Sequence, residues 1–145
     1  MRAQYHFRNS PEGMRAWNVH RLVELSDALV RERVPLSAFR ELDEPYWSSG
    51  EGQKLTCREV ADHARLILES DLAFPIILSS DGRIMDGMHR VCKALLEDQD
   101  HIEAVRFVID PDPDYIGVLP NDLPYVDHGE QDAISEEGIR SAPSR

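Results

Sequence analysis

The chain has 145 residues, 41% of them hydrophobic, which suits one ordinary domain with one packed core. A formal charge of −11 excludes the broad basic surface that attracts nucleic-acid backbones in general, and leaves room only for a local basic pocket. Nine acidic and two basic residues follow residue 109, so the acidity is concentrated in the C-terminal part.

Cysteine content and apolar runs suggest where the protein resides. Cys57 and Cys92 are too few for a disulfide framework, and the opening "MRAQYHFRNSPEG" lacks the apolar core of a signal peptide. The longest apolar runs are far below the roughly 20 residues of a membrane span. We therefore expect a cytoplasmic protein without a membrane partner.

The N-terminal third predicts a short strand in "QYHFR", a turn in "NSPEG" and then an amphipathic helix. Asn18 is available as the N-cap of this helix, which should end before Pro35. Its apolar face consists of Val19, Leu22, Val23, Ser26, Leu29 and Val30. "VPLSAF" is ambiguous between a strand and a turn, and "RELDEPYWSSGEGQ" predicts a loop.

A second helix is predicted for "LTCREVADHARLILES". Thr56 as N-cap and Glu59 three residues later form a capping-box pattern. Glu59 and His63 lie one turn apart on one face. Apolar residues repeat on another face, namely Cys57, Val60, Ala61, Ala64, Ile67 and Leu68.

The next segment predicts a hairpin and a third helix. "FPIILSS" and "RIMDG" are short strand patterns joined by the turn residues Asp81 and Gly82. The helix that follows carries His89, Lys93 and Glu97 on its polar face. Its apolar face is formed by Met88, Val91, Cys92, Leu95 and Leu96. "HIEAVRFV" predicts a closing strand.

Interleaved strands and amphipathic helices predict an α+β fold of mixed α/β type, in which a small mixed β-sheet packs with helices. We expect a single domain from residue 1 to 109. Residues 110–126, rich in Pro and Asp, should form an extended segment packed on that domain. Residues 127–145 have the composition of a disordered acidic tail.

The strand-to-helix turn Asp86-Gly87-Met88-His89-Arg90 is the strongest candidate for a chemical site. The first turn of a helix presents unpaired N–H groups and the positive end of the macrodipole, so it attracts anions. Gly87 would let a phosphate approach the main chain, and Arg90 could add a bidentate contact. His89 could donate a hydrogen bond or relay a proton, while Asp86 could hold a metal, orient His89 or accept a proton.

A structural interpretation of the same turn stays open. Asp-Gly before a helix is common turn chemistry, in which Asp caps the helix and Gly relieves the backbone. Arg90 could simply pair with Glu97 or Asp86, and His89 could be a surface residue.

The stretch "FPIILSSDGRIMDGMHRVCKALLEDQDHIEAVRF" resembles the core of the ParB N-terminal domain and sulfiredoxin superfamily. The resemblance covers roughly residues 17–109, with its specific signal at 75–107. The matching residues are Pro75, Ile76, Asp86, Gly87, His89, Arg90 and Ala94. It implies a ParB/sulfiredoxin-like fold that binds a nucleotide or phosphate at this turn.

Several residues of this chain differ from the motifs of the superfamily, and these differences exclude some of the functions that the resemblance implies. Sulfiredoxin requires a Cys immediately before the His-Arg pair, where this chain has Met88, so sulfiredoxin chemistry is not expected. Cys92, one turn later on the apolar face, is expected to be a buried structural residue. Partition proteins have a different turn motif and a basic helix-turn-helix, so the chain is not expected to be a partition protein. The turn is most similar to that of the free-serine-kinase-like branch.

A kinase-like enzyme also needs a carboxylate base for the accepting hydroxyl. Glu41, Asp43 and Glu44 are candidates, and we prefer Glu44 because Tyr46 and Trp47 could fix its loop and supply a ring for base stacking. The alternatives are a solvated acidic loop and two aromatic core anchors.

Two functional hypotheses follow. The first is a nucleotide-dependent phosphotransferase or hydrolase that uses ATP, ADP or CTP with Mg²⁺, with Gly87, Met88, His89 and Arg90 as binding residues. Its catalytic candidates are Asp86, His89 and Glu44. The second is a non-catalytic ligand-sensing or protein-interaction module, with a protein partner or a homodimer. No metal site of histidines and cysteines is expected, because no paired ligand spacing is found among His6, His20, His63, His101, His128 and the cysteines.

Overall fold

The computed structural model describes residues 4–48 and 54–125. Within that part the fold is α+β, as the sequence predicted. The helices are α1 (Val19–Ser26), α2 (Cys57–Glu69) and α3 (Met88–Leu96). The strands are β1 (Tyr5–Arg8), β2 (Arg15–Asn18), β3 (Glu32–Pro35), β4 (Ile76–Leu78), β5 (Ile84–Asp86), β6 (His101–Arg106) and β7 (Tyr115–Ile116). No helix in these residues has both the length and the apolar character needed to cross a bilayer.

The described chain divides into two compact units, one of residues 4–28 with 110–125 and one of residues 29–109. In the first unit β2 pairs antiparallel with both β1 and β7. Trp17 is buried, and its Nε1 donates to the carbonyl of Pro111 at 2.8 Å. Arg21 and Asp114 form an ion pair at 2.9 Å. Residues 110–125 are therefore joined to residues 4–28 by strand pairing and side-chain contacts. The tail predicted to be disordered, 127–145, lies outside the described residues.

Helix α1 begins as predicted but is shorter than predicted. The Asn18 side chain accepts hydrogen bonds from the N–H groups of His20 and Arg21 at 2.9 and 3.4 Å, which confirms the N-cap. The helix ends at Ser26, so it stops before Pro35 as predicted, but Leu29 and Val30 of the predicted apolar face lie beyond its end. The reason is a distant partner: residues 32–35 form β3 and pair antiparallel with β6.

The second unit contains a four-stranded sheet in the order β3-β6-β4-β5. β4 and β6 are parallel and the other two pairs are antiparallel, so the sheet is mixed, as predicted. The hairpin between β4 and β5 turns at Gly82, whose φ is +86°. The core of the unit consists of Val34, Leu36, Phe39, Ile76, Leu78, Ile84, Met88, Val91, Ala94, Ile102 and Ala104.

Helix α2 has the predicted start, but its apolar face is not in the core. The Thr56 hydroxyl accepts from the Glu59 N–H at 3.1 Å, and a Glu59 carboxylate oxygen accepts from the Thr56 N–H at 3.2 Å, which confirms the capping box. None of the residues of α2 is fully buried. Val60 is 53% and Leu68 68% exposed. Most of the helix-spaced apolar face is thus on the surface, and only Ile67 of that face is half-buried, together with His63 and Leu66.

Candidate functional site

The turn between β5 and α3 is built around Gly87. Its φ of 114° and ψ of 21° are left-handed, a conformation that glycine adopts without steric cost. A Cβ added to Gly87 would lie 2.5 Å from Ile76 Cγ2 and 3.0 Å from Arg90 Nη2. The space left by the absent side chain is thus taken by Ile76 and Arg90, and Gly87 lets the turn close onto β4.

Arg90 is fully buried, and its guanidinium is bound by protein groups. Nη2 donates to Asp86 Oδ2 at 2.9 Å, while Nη1 donates to the carbonyls of Phe74 and Pro75 at 3.0 and 2.9 Å. The pairing with Asp86 that the sequence left open is therefore formed. Buried ion pairs depend on such added hydrogen bonds to offset desolvation. Arg90 therefore fastens the turn to the residues just before β4, and its side chain is 0% exposed.

The remaining residues of the motif divide between the core and the surface. Met88 is buried in the core cluster, so its side chain packs against protein while its N–H belongs to the first turn of α3. Cys92 is half-buried, and burial raises the pKa of its thiol. A thiol with a raised pKa is a poor nucleophile, which fits the expected structural role. His89 is partly exposed and is the chemically versatile member of the turn.

His89 is joined to a histidine that the sequence did not connect with it. His63 Nδ1 and His89 Nε2 lie 2.9 Å apart in a hydrogen bond, so one proton is shared between them. His63 belongs to α2, and this bond therefore links the middle of α2 to the first turn of α3.

The indole of Trp47 stacks on both imidazoles. Its ring centroid lies 4.2 Å from that of His63 and 4.9 Å from that of His89, with interplanar angles of 22° and 17°. Trp47 also packs against the core of the unit, as Tyr46 does. Both aromatics therefore contact the core, as the core-anchor alternative predicted, and Trp47 in addition stacks on two protein imidazoles.

Burial keeps the histidine pair neutral near pH 7. Burial, followed by His63 and the positive charge of Arg90, lowers the pKa of His89 to about 4. Burial also lowers the pKa of His63, against the opposing influence of Glu59 and Asp62. Since the rings share a proton, they titrate as a coupled pair.

A neutral, hydrogen-bonded pair of imidazoles can act as both donor and acceptor. Two protons are distributed over four nitrogens, and one of them lies in the bond between the rings. His63 Nε2 and His89 Nδ1 therefore carry one N–H and one lone pair between them. A proton accepted at one outer nitrogen can be passed through the bond and released at the other, which is the chemistry of a relay.

The predicted acidic loop separates into residues with different roles. The Glu44 carboxylate accepts from Arg83 Nη2 at 2.8 Å, and this hydrogen bond lowers the pKa of Glu44. Glu41 is buried and accepts from the N–H of Ile84 at 2.7 Å. Asp43 is exposed. Glu44 is thus ionised and tied to the β4–β5 hairpin, and three residues later the same loop delivers Trp47 to His89.

His63 is the residue of the site that sequence reasoning missed, whereas Glu41 was among the candidate bases. The signal for His63 was its position off the apolar face of α2, one turn from Glu59, but nothing local linked it to His89. A cleft of about 300 Å³ beside Trp47 is lined by Ser48, Lys54, Leu55 and Glu59. Among the described residues, no group of three or more His, Cys, Asp or Glu side chains is placed to hold a metal ion.

No protein-family model matches the chain, and neither a curated protein nor a solved structure matches it.

Proposed function

We propose that the protein binds a nucleotide or another phosphorylated small molecule at a surface formed by Trp47, His63 and His89, beside the Asp86–Arg90 turn. The observation that carries the proposal is the stacking of Trp47 on the hydrogen-bonded histidine pair. This arrangement places an aromatic ring, an imidazole N–H and the first turn of α3 next to one another.

Each part of this surface suits one part of a nucleotide. The face of a tryptophan ring can stack on any of the bases. Such stacking contributes binding affinity without hydrogen bonds that identify the base. The first turn of α3 and the imidazole N–H favour an anionic oxygen. The cleft beside Trp47 is at the small end of the range for ligand pockets, and Lys54 in its lining supplies a cation.

The proposal assigns no protein ligand to Mg²⁺. Mg²⁺ prefers several oxygen ligands in octahedral geometry, whereas the Asp86 carboxylate is already engaged by Arg90. We therefore propose that the protein's own side chains hold the ligand. Of the three predicted catalytic residues, His89 has the contacts best suited to moving a proton.

The proposal is tested by thermal unfolding in the presence of ATP, ADP or CTP, each with Mg²⁺. A ligand that binds only the folded state raises the melting temperature by mass action. We expect a rise with at least one of these compounds, and its loss in His89→Gln. His101→Gln, an exposed histidine on β6, is the matched control and should retain the rise. No rise with any compound, or an unchanged rise in His89→Gln, would contradict the proposal.

A second candidate function is a non-catalytic ligand-sensing or protein-interaction module. It is favoured by the buried Arg90–Asp86 pair, which commits two of the predicted functional residues to holding the turn. Incubation with the bound nucleotide separates the two candidates. Intact nucleotide after prolonged incubation, with and without hydroxyl acceptors, supports a sensor, and release or transfer of phosphate supports an enzyme.

A further inference from the structure

Helix α2 presents an apolar face to solvent. Val60 and Leu68 are 53% and 68% exposed, and Cys57, Ala61 and Ala64 between and beside them are exposed as well. An amphipathic helix normally buries such a face. With 13 residues, α2 is about 20 Å long, enough to support contact with a second helix along several turns.

The charges along one edge of this face alternate in sign. They are Arg58, Asp62, Arg65 and Glu69. At 3.6 residues per turn these four lie within about 60° of one another on the helical wheel, next to Ala61 and Leu68. Along α2 these charges run plus, minus, plus, minus, and an antiparallel copy of the helix presents them in the opposite order, so that each charge meets one of opposite sign. The edge is therefore complementary to itself in an antiparallel arrangement, which points to a second copy of the chain as the occupant.

We propose that the protein forms a two-fold symmetric dimer in which α2 packs antiparallel against α2 of the partner subunit. A two-fold axis near Ala64 places Val60 opposite Leu68 of the partner subunit. It also places Arg58 opposite Glu69 and Asp62 opposite Arg65 of the partner subunit. Such an isologous contact closes after two subunits. The small side chains of Ala61 and Ala64 at its centre allow the helix axes to approach to about 8 Å.

The electrostatic part of this interface rests on exposed charged residues. Arg65 and Asp62 form a long ion pair of 3.9 Å within the helix, with side chains 68% and 58% exposed. Exposed pairs of this kind contribute little alone, but charges across an interface fix the register and exclude the wrong orientation. The contact area of one helix pair is small, so we expect a dimer of modest affinity.

The dimer surface is separate from the proposed ligand site. His63 lies on the side of α2 that faces α3, whereas Ala61, Ala64 and Leu68 are exposed. The dimer therefore goes beyond the proposed function, and each can fail without the other.

Sedimentation equilibrium of the full chain over a range of concentrations tests the dimer. We expect a monomer–dimer equilibrium that Ala64→Glu weakens by about tenfold or more, because like charges would meet at the two-fold axis. Ala38→Glu, at another exposed alanine of the same unit, should leave it unchanged. Circular dichroism checks that each variant keeps its helix content. A wild type that stays monomeric up to about 1 mM, or a dimer that survives Ala64→Glu, would overturn the proposal.

A charge exchange tests the antiparallel register itself. Arg58→Glu and Glu69→Arg should each weaken the dimer, since each places like charges opposite one another. The double variant Arg58→Glu with Glu69→Arg restores the opposite pairing in both symmetry-related positions. Its dissociation constant should return to within about threefold of wild type. A double variant as weak as the single variants would refute this register.

Discussion

Two separate features of the structure require a glycine at residue 87, and comparison with Gly82 distinguishes their energetic costs. Its left-handed backbone disfavours any side chain, and its Cβ position is occupied by the buried Ile76. We predict that Gly87→Ala lowers the free energy of unfolding by about 2–4 kcal/mol, from backbone strain and overpacking together. Urea unfolding followed by circular dichroism measures this change.

Gly82 in the β4–β5 hairpin is the matched control for Gly87. It also has a positive φ, but a Cβ there would meet only the flexible end of Arg106 at 3.8 Å. Gly82→Ala should therefore cost only the backbone term, about 1 kcal/mol. Equal costs for Gly82→Ala and Gly87→Ala would show that the contact with Ile76 does not restrict the turn.

His89 should make stability depend on pH in a defined window. Because its folded pKa is about 4 and its ordinary value 6.5, the unfolded chain binds more protons between these pH values. The stabilising contribution is thus complete above about pH 6.5 and is lost as pH falls toward 4. His89 is only partly buried, so we expect a loss of about 1–2 kcal/mol.

Urea unfolding of wild type and His89→Gln at several pH values isolates this contribution, since the carboxylates titrate in both proteins. The difference in free energy of unfolding should shrink from pH 7 to pH 4. His101→Gln should instead follow wild type throughout. A difference that does not change with pH would mean that His89 is not held neutral by its burial and by His63.

At the scale of elements, we expect the stability of α2 to depend strongly on its N-terminal cap. None of its residues is fully buried, so packing contributes less than in a core helix and local interactions matter more. We predict that Thr56→Ala lowers the free energy of unfolding by about 1 kcal/mol, through loss of the hydroxyl that accepts from Glu59. Thr56→Ser keeps that acceptor and should lose only a few tenths. Similar losses in both variants would attribute the effect to the methyl group.

The elements that could be predicted from the sequence are those with local signals. The Asn18 cap, the capping box at Thr56 and the turn at Gly82 depend on residues close in sequence, and all three are formed. The end of α1 depends on the pairing of β3 with β6, about 70 residues away in sequence, which periodicity cannot reveal. The exposed face of α2 has the same explanation: spacing identifies an apolar face but not what covers it.

The candidate site shows the same division. The sequence marked Asp86, Gly87, His89 and Arg90 because they are consecutive at a strand-to-helix turn. It could not show that Arg90 would be enclosed by carbonyls of residues 74 and 75, or that His63 would meet His89. These contacts join segments that are distant in sequence. The ParB/sulfiredoxin-like resemblance remains a prediction for the same region.

At the scale of the whole molecule, the first unit is assembled from both ends of the described chain. Ala16 pairs with Tyr115 of β7, and the Ala16 carbonyl accepts from the Asp114 N–H at 2.8 Å. The Trp17 indole, 3% exposed, donates to the carbonyl of Pro111. Residues 4–28 on their own therefore lack the strand and the acceptor that complete the unit.

Truncation tests this dependence directly. In a Trp47→Phe background, Trp17 is the sole tryptophan, because the chain has two. A chain ending at residue 109 should show red-shifted Trp17 emission, since the indole loses both its acceptor and its cover. A chain ending at residue 125 keeps β7 and Pro111, and its emission should match that of the full chain.

Residues 29–109 contain all four strands of the second sheet, so the shorter chain should still unfold cooperatively. Unshifted emission after truncation at 109 would mean that residues 4–28 fold without their C-terminal partner.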